Sequence, residues 1–124
     1  MEPQFTDREL DIMNVLWDLG GATATEVQGQ LTDPLAYNTV LTMLRILEEK
    51  GHVRHEEQGR AHRYIPRVAR KTAKASAVKR LVRKLFDGDA RLLATELVAN
   101  RSLSNDDLRE LRALLDERLK GDDK

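Results

Sequence analysis

A mainly α fold, with three helices closed by a small β-hairpin and then three further helices, is predicted by three observations. The stretch Leu35 to Pro66, LAYNTVLTMLRILEEKGHVRHEEQGRAHRYIP, reads as one helix running straight into a hairpin. Strong helix-start signals recur at Thr6, Thr23 and Ser104. The charge also steps at Pro66: residues 1–66 carry 6 basic and 11 acidic side chains, net −5, and residues 67–124 carry 15 basic and 10 acidic, net +5. A compositional boundary of that size divides the chain into an N-terminal part, 1–66, and a C-terminal part, 67–124.

Each element follows from local chemistry. Thr6 with Glu9 three residues on forms a capping box, bracketed by the apolar pair Phe5 and Leu10, so a first helix is predicted from Asp7 to Leu19, stopped by Gly20-Gly21. Thr23 and Glu26 repeat the box and open a short second helix, Ala24 to Leu31, with Val27 and Leu31 inward; Asp33-Pro34 closes it. The third helix differs, because neither Leu35 nor Ala36 can cap it with a side chain. Its first backbone N–H groups are left free, as a phosphate contact requires. Val40, Leu44 and Leu47 recur at i, i+4, i+7 and form its buried stripe, leaving Asn38, Thr42, Arg45 and Glu49 on another face. Gly51 ends it. His52 to Glu57 and Ala61 to Ile65 then flank a turn at Gln58-Gly59, with Arg60 at the tip and Arg63 further round the strand.

Helix, helix, helix, hairpin within about sixty residues is the order of a winged helix-turn-helix, whose third helix reads a DNA groove. A face of small polar groups plus one Arg fits that task. Leu10, Met13, Leu16, Trp17, Val27, Val40, Leu44, Leu47, Val53 and Tyr64 are assigned to the core. Tyr37 has two readings, a sugar or phosphate contact in the first turn of the reading helix or a cover for the core edge.

The C-terminal part reads as helices at Ala69 to Phe86, Asp89 to Ala99, and from the cap at Ser104 to about Lys120, before Gly121. The first carries Val78, Leu81, Val82 and Leu85; the second Leu92, Leu93, Leu97 and Val98; the last Leu108, Leu111, Leu115 and Leu119 on one stripe beside Leu114. Three short helices with such broad apolar faces can hardly build a core alone. They are expected to form a dimerisation domain, through Val78, Leu81, Leu85, Leu93, Leu97, Leu108, Leu111, Leu115 and Leu119. The competing arrangement packs them back onto residues 1–66 in a monomer. Arg67, Arg70, Lys71, Lys74, Lys79, Arg80, Arg83 and Lys84 follow one another with no acid among them, and serve either as a solvated helix face or as a surface near phosphates.

Composition narrows the function classes. The chain has 124 residues, no Cys and three His, with nothing resembling a signal peptide or a membrane span, so a cytoplasmic protein with no cofactor is expected. Disulfides and thiolate metal sites are excluded. His55 and His62 fall opposite each other if Gln58-Gly59 is a two-residue turn, and cross-strand imidazoles are far more often a surface pair than a metal site or an enzyme's base. The net charge of zero does not announce a nucleic-acid binder. A winged helix used only for protein contacts is the rival reading.

The residues from Thr6 to Trp17, together with TATEVQGQL, LAYNTVLTMLRILEEKG and EEQGRAHRYIP, resemble the BlaI/MecI/CopY family of bacterial repressors. The resemblance is strong over residues 5–66 and looser over the C-terminal helices. It implies an N-terminal winged helix, a C-terminal dimerisation domain, and homodimers that repress neighbouring genes from pseudo-palindromic DNA operators. It further implies that Asn38, Thr39, Thr42 and Arg45 face bases and backbone, with Arg60 in the wing meeting phosphate. Three departures bear on function. Many members carry Gln-Arg where this chain has Arg45-Ile46, which moves the Arg about 100° round the helix. The copper-responsive branch carries a C-terminal cysteine cluster that is missing here. The antibiotic-responsive branch is cut by a sensor-linked protease system at an Asn-Phe bond, where this chain has Glu96-Leu97. A sensor-linked protease is thus a candidate partner whose cleavage bond is not matched.

Overall fold

The computed structural model describes residues 3–122. Its elements are α1 (Asp7–Leu19), β1 (Ala22–Thr23), α2 (Ala24–Gln30), α3 (Tyr37–Glu49), β2 (Val53–Gln58), β3 (Ala61–Pro66), α4 (Arg70–Leu85), α5 (Ala90–Ala99) and α6 (Asn105–Asp122). The chain divides into two compact units, Met1–Val78 and Lys79–Lys124, and α4 runs across the division.

Both capping boxes are formed. Thr6 Oγ1 accepts the Glu9 N–H at 3.2 Å while Glu9 Oε1 accepts the Thr6 N–H at 2.8 Å. Thr23 and Glu26 do the same at 3.2 and 3.0 Å. Each box satisfies two backbone donors that a helix start would otherwise leave open. Gly20 and Gly51 take positive φ, 74° and 82°, just past the ends of α1 and α3. The core joins Ile12, Met13, Leu16, Val27, Val40, Leu44, Leu47, Val53 and Tyr64. Leu10 and Trp17, placed in the core from sequence, are half-buried instead.

The wing departs from its sequence expectation in register. Gln58 pairs with Ala61, so the two-residue turn is Gly59-Arg60 and not Gln58-Gly59. Gly59, at φ 62°, holds the first central position, where a hairpin turn needs a left-handed residue. His55 consequently faces Tyr64, and His62 faces Glu57. A third strand, β1, was not anticipated. It pairs Ala22 with Tyr64 and Thr23 with Arg63, giving the sheet order β1-β3-β2.

The start of α4 is tied to α1. Trp17 Nε1 donates to the Val68 carbonyl at 2.8 Å, and the Arg70 guanidinium lies 5.3 Å over the Trp17 ring while bonding Asp18 at 2.7 Å and the Asn14 carbonyl at 3.2 Å. Ser76 Oγ donates to the Pro3 carbonyl. In the second unit, Asp89 caps α5 by accepting the Arg91 N–H, and Ser104 with Asp107 forms a third reciprocal cap at the start of α6. α6 continues through Gly121 to Asp122, past the stop expected at Lys120, and the i,i+4 pair of Arg118 with Asp122 spans that glycine.

Glu9 and His52 give the first unit a pH-dependent stability. Burial works against the Glu9 charge, but the hydrogen bonds from Lys50 Nζ, 2.8 Å away, and from the Thr6 backbone outweigh it and hold the carboxyl below its ordinary 4.5. Burial beside the Phe5 ring, aided by the Lys50 charge and opposed by Glu9, pushes the His52 imidazole below 6.5. Both folded-state values lie below the unfolded ones. Stability is therefore fully present above about pH 6.5, declines as the unfolded chain protonates His52 first, and declines again below about pH 4.5 as Glu9 is neutralised. Thermal melts across this range should show a midpoint that only falls as the pH drops. A stability maximum near pH 5 would contradict the assignment.

Candidate nucleic-acid interface

Helix α3 buries Val40, Leu44 and Leu47 and thereby turns its other residues outward. Asn38, Thr39, Thr42 and Arg45 are all exposed, and so is Tyr37, at 45%. Ala36 precedes the helix in an extended conformation without a side-chain cap, so the first N–H groups of α3 keep no side-chain partner. Tyr37 and Arg45 stand on the edge nearest the wing.

There they meet a cleft of about 180 Å³ between α3, the start of α2 and the wing. Thr25 lines it from α2, Tyr37, Leu41 and Arg45 from α3, and Arg60, His62 and Tyr64 from the wing. Two guanidinium groups thus share one open cleft. Tyr64 is 2% exposed; burial raises its hydroxyl pKa, as does the nearby Glu48 charge, while the nearby Arg45 charge acts in the opposite direction. Arg45 thus stands beside Tyr64 in the cleft, and its guanidinium carries five N–H donors for a ligand.

Of the residues chosen from sequence, Tyr37, Arg45 and Arg60 come together in this cleft, and Asn38, Thr39 and Thr42 lie on the exposed surface of the same helix. Arg63 does not join them. Strand alternation puts it on the face opposite His62 and Tyr64. Its guanidinium packs on the turn after α1 and reaches the Gly20 carbonyl at 3.5 Å. A Cβ on Gly21 would stand 2.8 Å from Arg63 Cζ, so the glycine there leaves room for this contact as well as for its φ of 137°. Thr25 and His62 were not singled out for the interface. The capping box put Thr25 in the first turn of α2, but only the packing of α2 against α3 and the wing turns it to the cleft. His62 needed the true hairpin register.

The model of the family described as "Penicillinase repressor" matches residues 5–117. The chain belongs to the penicillinase repressor family. It is 26% identical over 117 residues to the penicillinase repressor of Bacillus licheniformis, covering 93% of this chain and 91% of that one. It is 23% identical to the methicillin resistance regulatory protein MecI of Staphylococcus aureus strain N315, covering 93% and 95%. Among solved structures, the DNA-binding domain of the repressor BlaI in solution matches with a TM-score of 0.52 at 32% identity, over 58% of this chain and 90% of that one. Monomeric Bacillus licheniformis BlaI in complex with the blaP half-operator matches with a TM-score of 0.50, again at 32% identity, over 58% and 90%. A winged helix is therefore the fold of the N-terminal part, and the family is one of DNA-binding repressors, not enzymes. Among the described residues no group of three or more His, Cys, Asp or Glu could hold a metal ion, and no helix is long and apolar enough to cross a membrane.

Proposed function

We propose that this penicillinase repressor family member is a sequence-specific transcriptional repressor that binds a pseudo-palindromic operator as a homodimer. The observation that carries the proposal is α3: a buried stripe, an uncapped start and an outward row of Asn38, Thr39, Thr42 and Arg45, flanked by a cleft with a second arginine, Arg60. Small polar side chains with one Arg can contact base edges, whereas Tyr37, Arg60 and the free N–H groups of α3 suit phosphates. Arg63, held against the Gly20-Gly21 turn, contributes to the field near the wing more than to a direct contact.

Residues 1–66 supply the reading surface in this proposal, and residues 67–124 the dimer. No residue of α5 or α6 is buried: Leu97, Leu111, Leu115 and Leu119 are exposed, and Leu93 and Leu108 are half-buried; on α4, Val78, Leu81 and Leu85 are exposed. That much uncovered leucine on helices calls for a partner, and a second copy of this chain offers the same stripe in return. In the basic run at the start of α4, Arg70 is already spent on Asp18 and Trp17. Release from the operator needs a signal of its own, because a protease cutting at the matching place would meet Glu96-Leu97.

Retardation of random-sequence duplexes by the full chain, followed by recovery and sequencing of the bound fraction, should return a dyad. Binding to that dyad should weaken steeply with salt, with a negative log–log slope that reflects the phosphates neutralised. A flat salt response, or a monomer in sedimentation at micromolar concentration, would reject the proposal.

A further inference from the structure

We infer that His62 is a DNA-contacting residue of the wing cleft and that its imidazole takes up a proton when a backbone phosphate enters. The inference rests on the proposed DNA-binding function and adds to it a phosphate contact and a proton coupled to it.

The geometry carries it. His62 is exposed, lines the cleft together with Arg45 and Arg60, and makes no hydrogen bond or ion pair among the described residues. Its ring stacks on His55, centroids 4.2 Å apart and planes 9° from parallel. His55 itself is committed elsewhere, with Nδ1 2.5 Å from Glu48 Oε2. Of two stacked imidazoles, one is thus anchored to a carboxylate on α3, and the other is left with its nitrogens open.

Charged groups on α3, the turn and β2 face His62. From α3 and the turn, Arg45 and Arg60 share the cleft and oppose a third cation. A protonated His55 on β2 would oppose it too. From β2, Glu57 faces His62 across the strand pair and favours it, and Glu48 acts from behind His55. Tyr37, Tyr64 and Thr25 add hydroxyl groups to the lining. A phosphate in the cleft reverses the balance, because it pairs with the Arg60 guanidinium and attracts the imidazolium directly. A bound phosphate favours the charged imidazolium over the neutral ring, and that preference couples affinity to pH. The coupling is reciprocal: bound phosphate raises proton affinity, and protons raise DNA affinity.

Phosphate contacts ignore sequence, so the test uses the full chain and a short duplex of random sequence, and does not depend on finding an operator. Affinity should rise about threefold to tenfold as the pH falls from about 7.5 to about 6 at fixed salt, the limit for one proton being about tenfold per pH unit. Calorimetry in two buffers of different ionisation enthalpy should show net proton uptake. The salt slope should steepen by about 0.9 per reader at the lower pH, the signature of one added phosphate contact. His62→Gln should abolish all three effects, His62→Lys should bind at pH 7.5 as the wild type does at pH 6, and His55→Gln should keep the proton uptake. Equal pH dependence in wild type and His62→Gln, or its loss in His55→Gln alone, overturns the inference. No binding of any duplex by the wild type at any pH would instead overturn the DNA-binding proposal itself.

Discussion

Leu111→Asp and Leu115→Asp are expected to turn a dimer into a monomer and to lower affinity for the full dyad by about 10²–10⁴, while leaving binding to one half-site unchanged. Both leucines lie on α6, exposed at 40% and 62%, on the stripe that also holds Leu108 and Leu119. In the proposed dimer each would be covered by the partner copy, and an aspartate there would bury an unpaired carboxylate. In the isolated chain it meets water, so the fold of either unit should not suffer. The size of the loss follows from linkage: once one winged helix is bound, a joined second one finds its half-site at a high effective concentration, and that advantage is what the substitutions remove. A chain ending at Val78 should behave like the aspartate variants. It keeps Trp17 bonded to Val68, Arg70 on Asp18 and Ser76 on Pro3, contacts that a chain ending at Pro66 forfeits. Sedimentation, circular dichroism and operator titration on the same samples decide the matter. If the folded aspartate variants bind the dyad as tightly as the wild type, α6 is not the dimer seam.

What could be read from sequence was whatever is settled within a few residues. Thr6 with Glu9, Thr23 with Glu26 and Ser104 with Asp107 marked three helix starts because the reciprocal bonds close over one turn. The stripe of Val40, Leu44 and Leu47 fixed which side of α3 faces outward, and with it Asn38, Thr42 and Arg45. The hairpin register was a different problem. Gly59 fits a two-residue turn with either neighbour, and the choice falls to pairings far from the turn, Val53 with Pro66 and the Arg67 N–H on the His52 carbonyl. One step of register moved His62 from opposite His55 to opposite Glu57. β1 was invisible for the same reason, since two residues carry no periodicity and only the edge of β3 makes them a strand. Arg63 followed β1: its place on Gly20-Gly21 exists only once Thr23 lies beside it. Gly121 misled because a glycine near a helix end usually stops it, yet an exposed helix tolerates one for about 1 kcal/mol.

Arg45→Ala should lower affinity for the selected operator by about 1–3 kcal/mol and relax preference at one base pair in each half-site, whereas Arg60→Ala should weaken all sequences alike. The two arginines share a cleft but are held differently. Arg45 leaves the middle of α3, on the row that continues Asn38 and Thr42, and the buried Tyr64 beside it walls one side of the space the guanidinium can occupy before DNA arrives. A pre-aimed fork loses less entropy on binding and can place two parallel donors on guanine O6 and N7, a pattern that no other base pair presents in that orientation. Arg60 occupies the second position of the wing turn and makes no ion pair among the described residues. A long side chain on a tight turn, free to sweep, suits a phosphate, which can be approached from many directions, and such a contact carries no sequence information. Competition between the selected operator and single-base variants separates the roles. Arg45→Ala should flatten the profile at one position and leave the rest, and Arg60→Ala should shift the whole profile while reducing the salt slope by about 0.9 per reader. Ile46, the position where the family resemblance implies an arginine, makes this a test of geometry too: Arg45→Gln and Ile46→Arg together should move the preference to a different base pair, because the guanidinium then leaves the helix about 100° further round. If Arg45→Ala and Arg60→Ala lower binding uniformly and by similar amounts, Arg45 is a second phosphate anchor, and base reading falls to Asn38, Thr39 and Thr42.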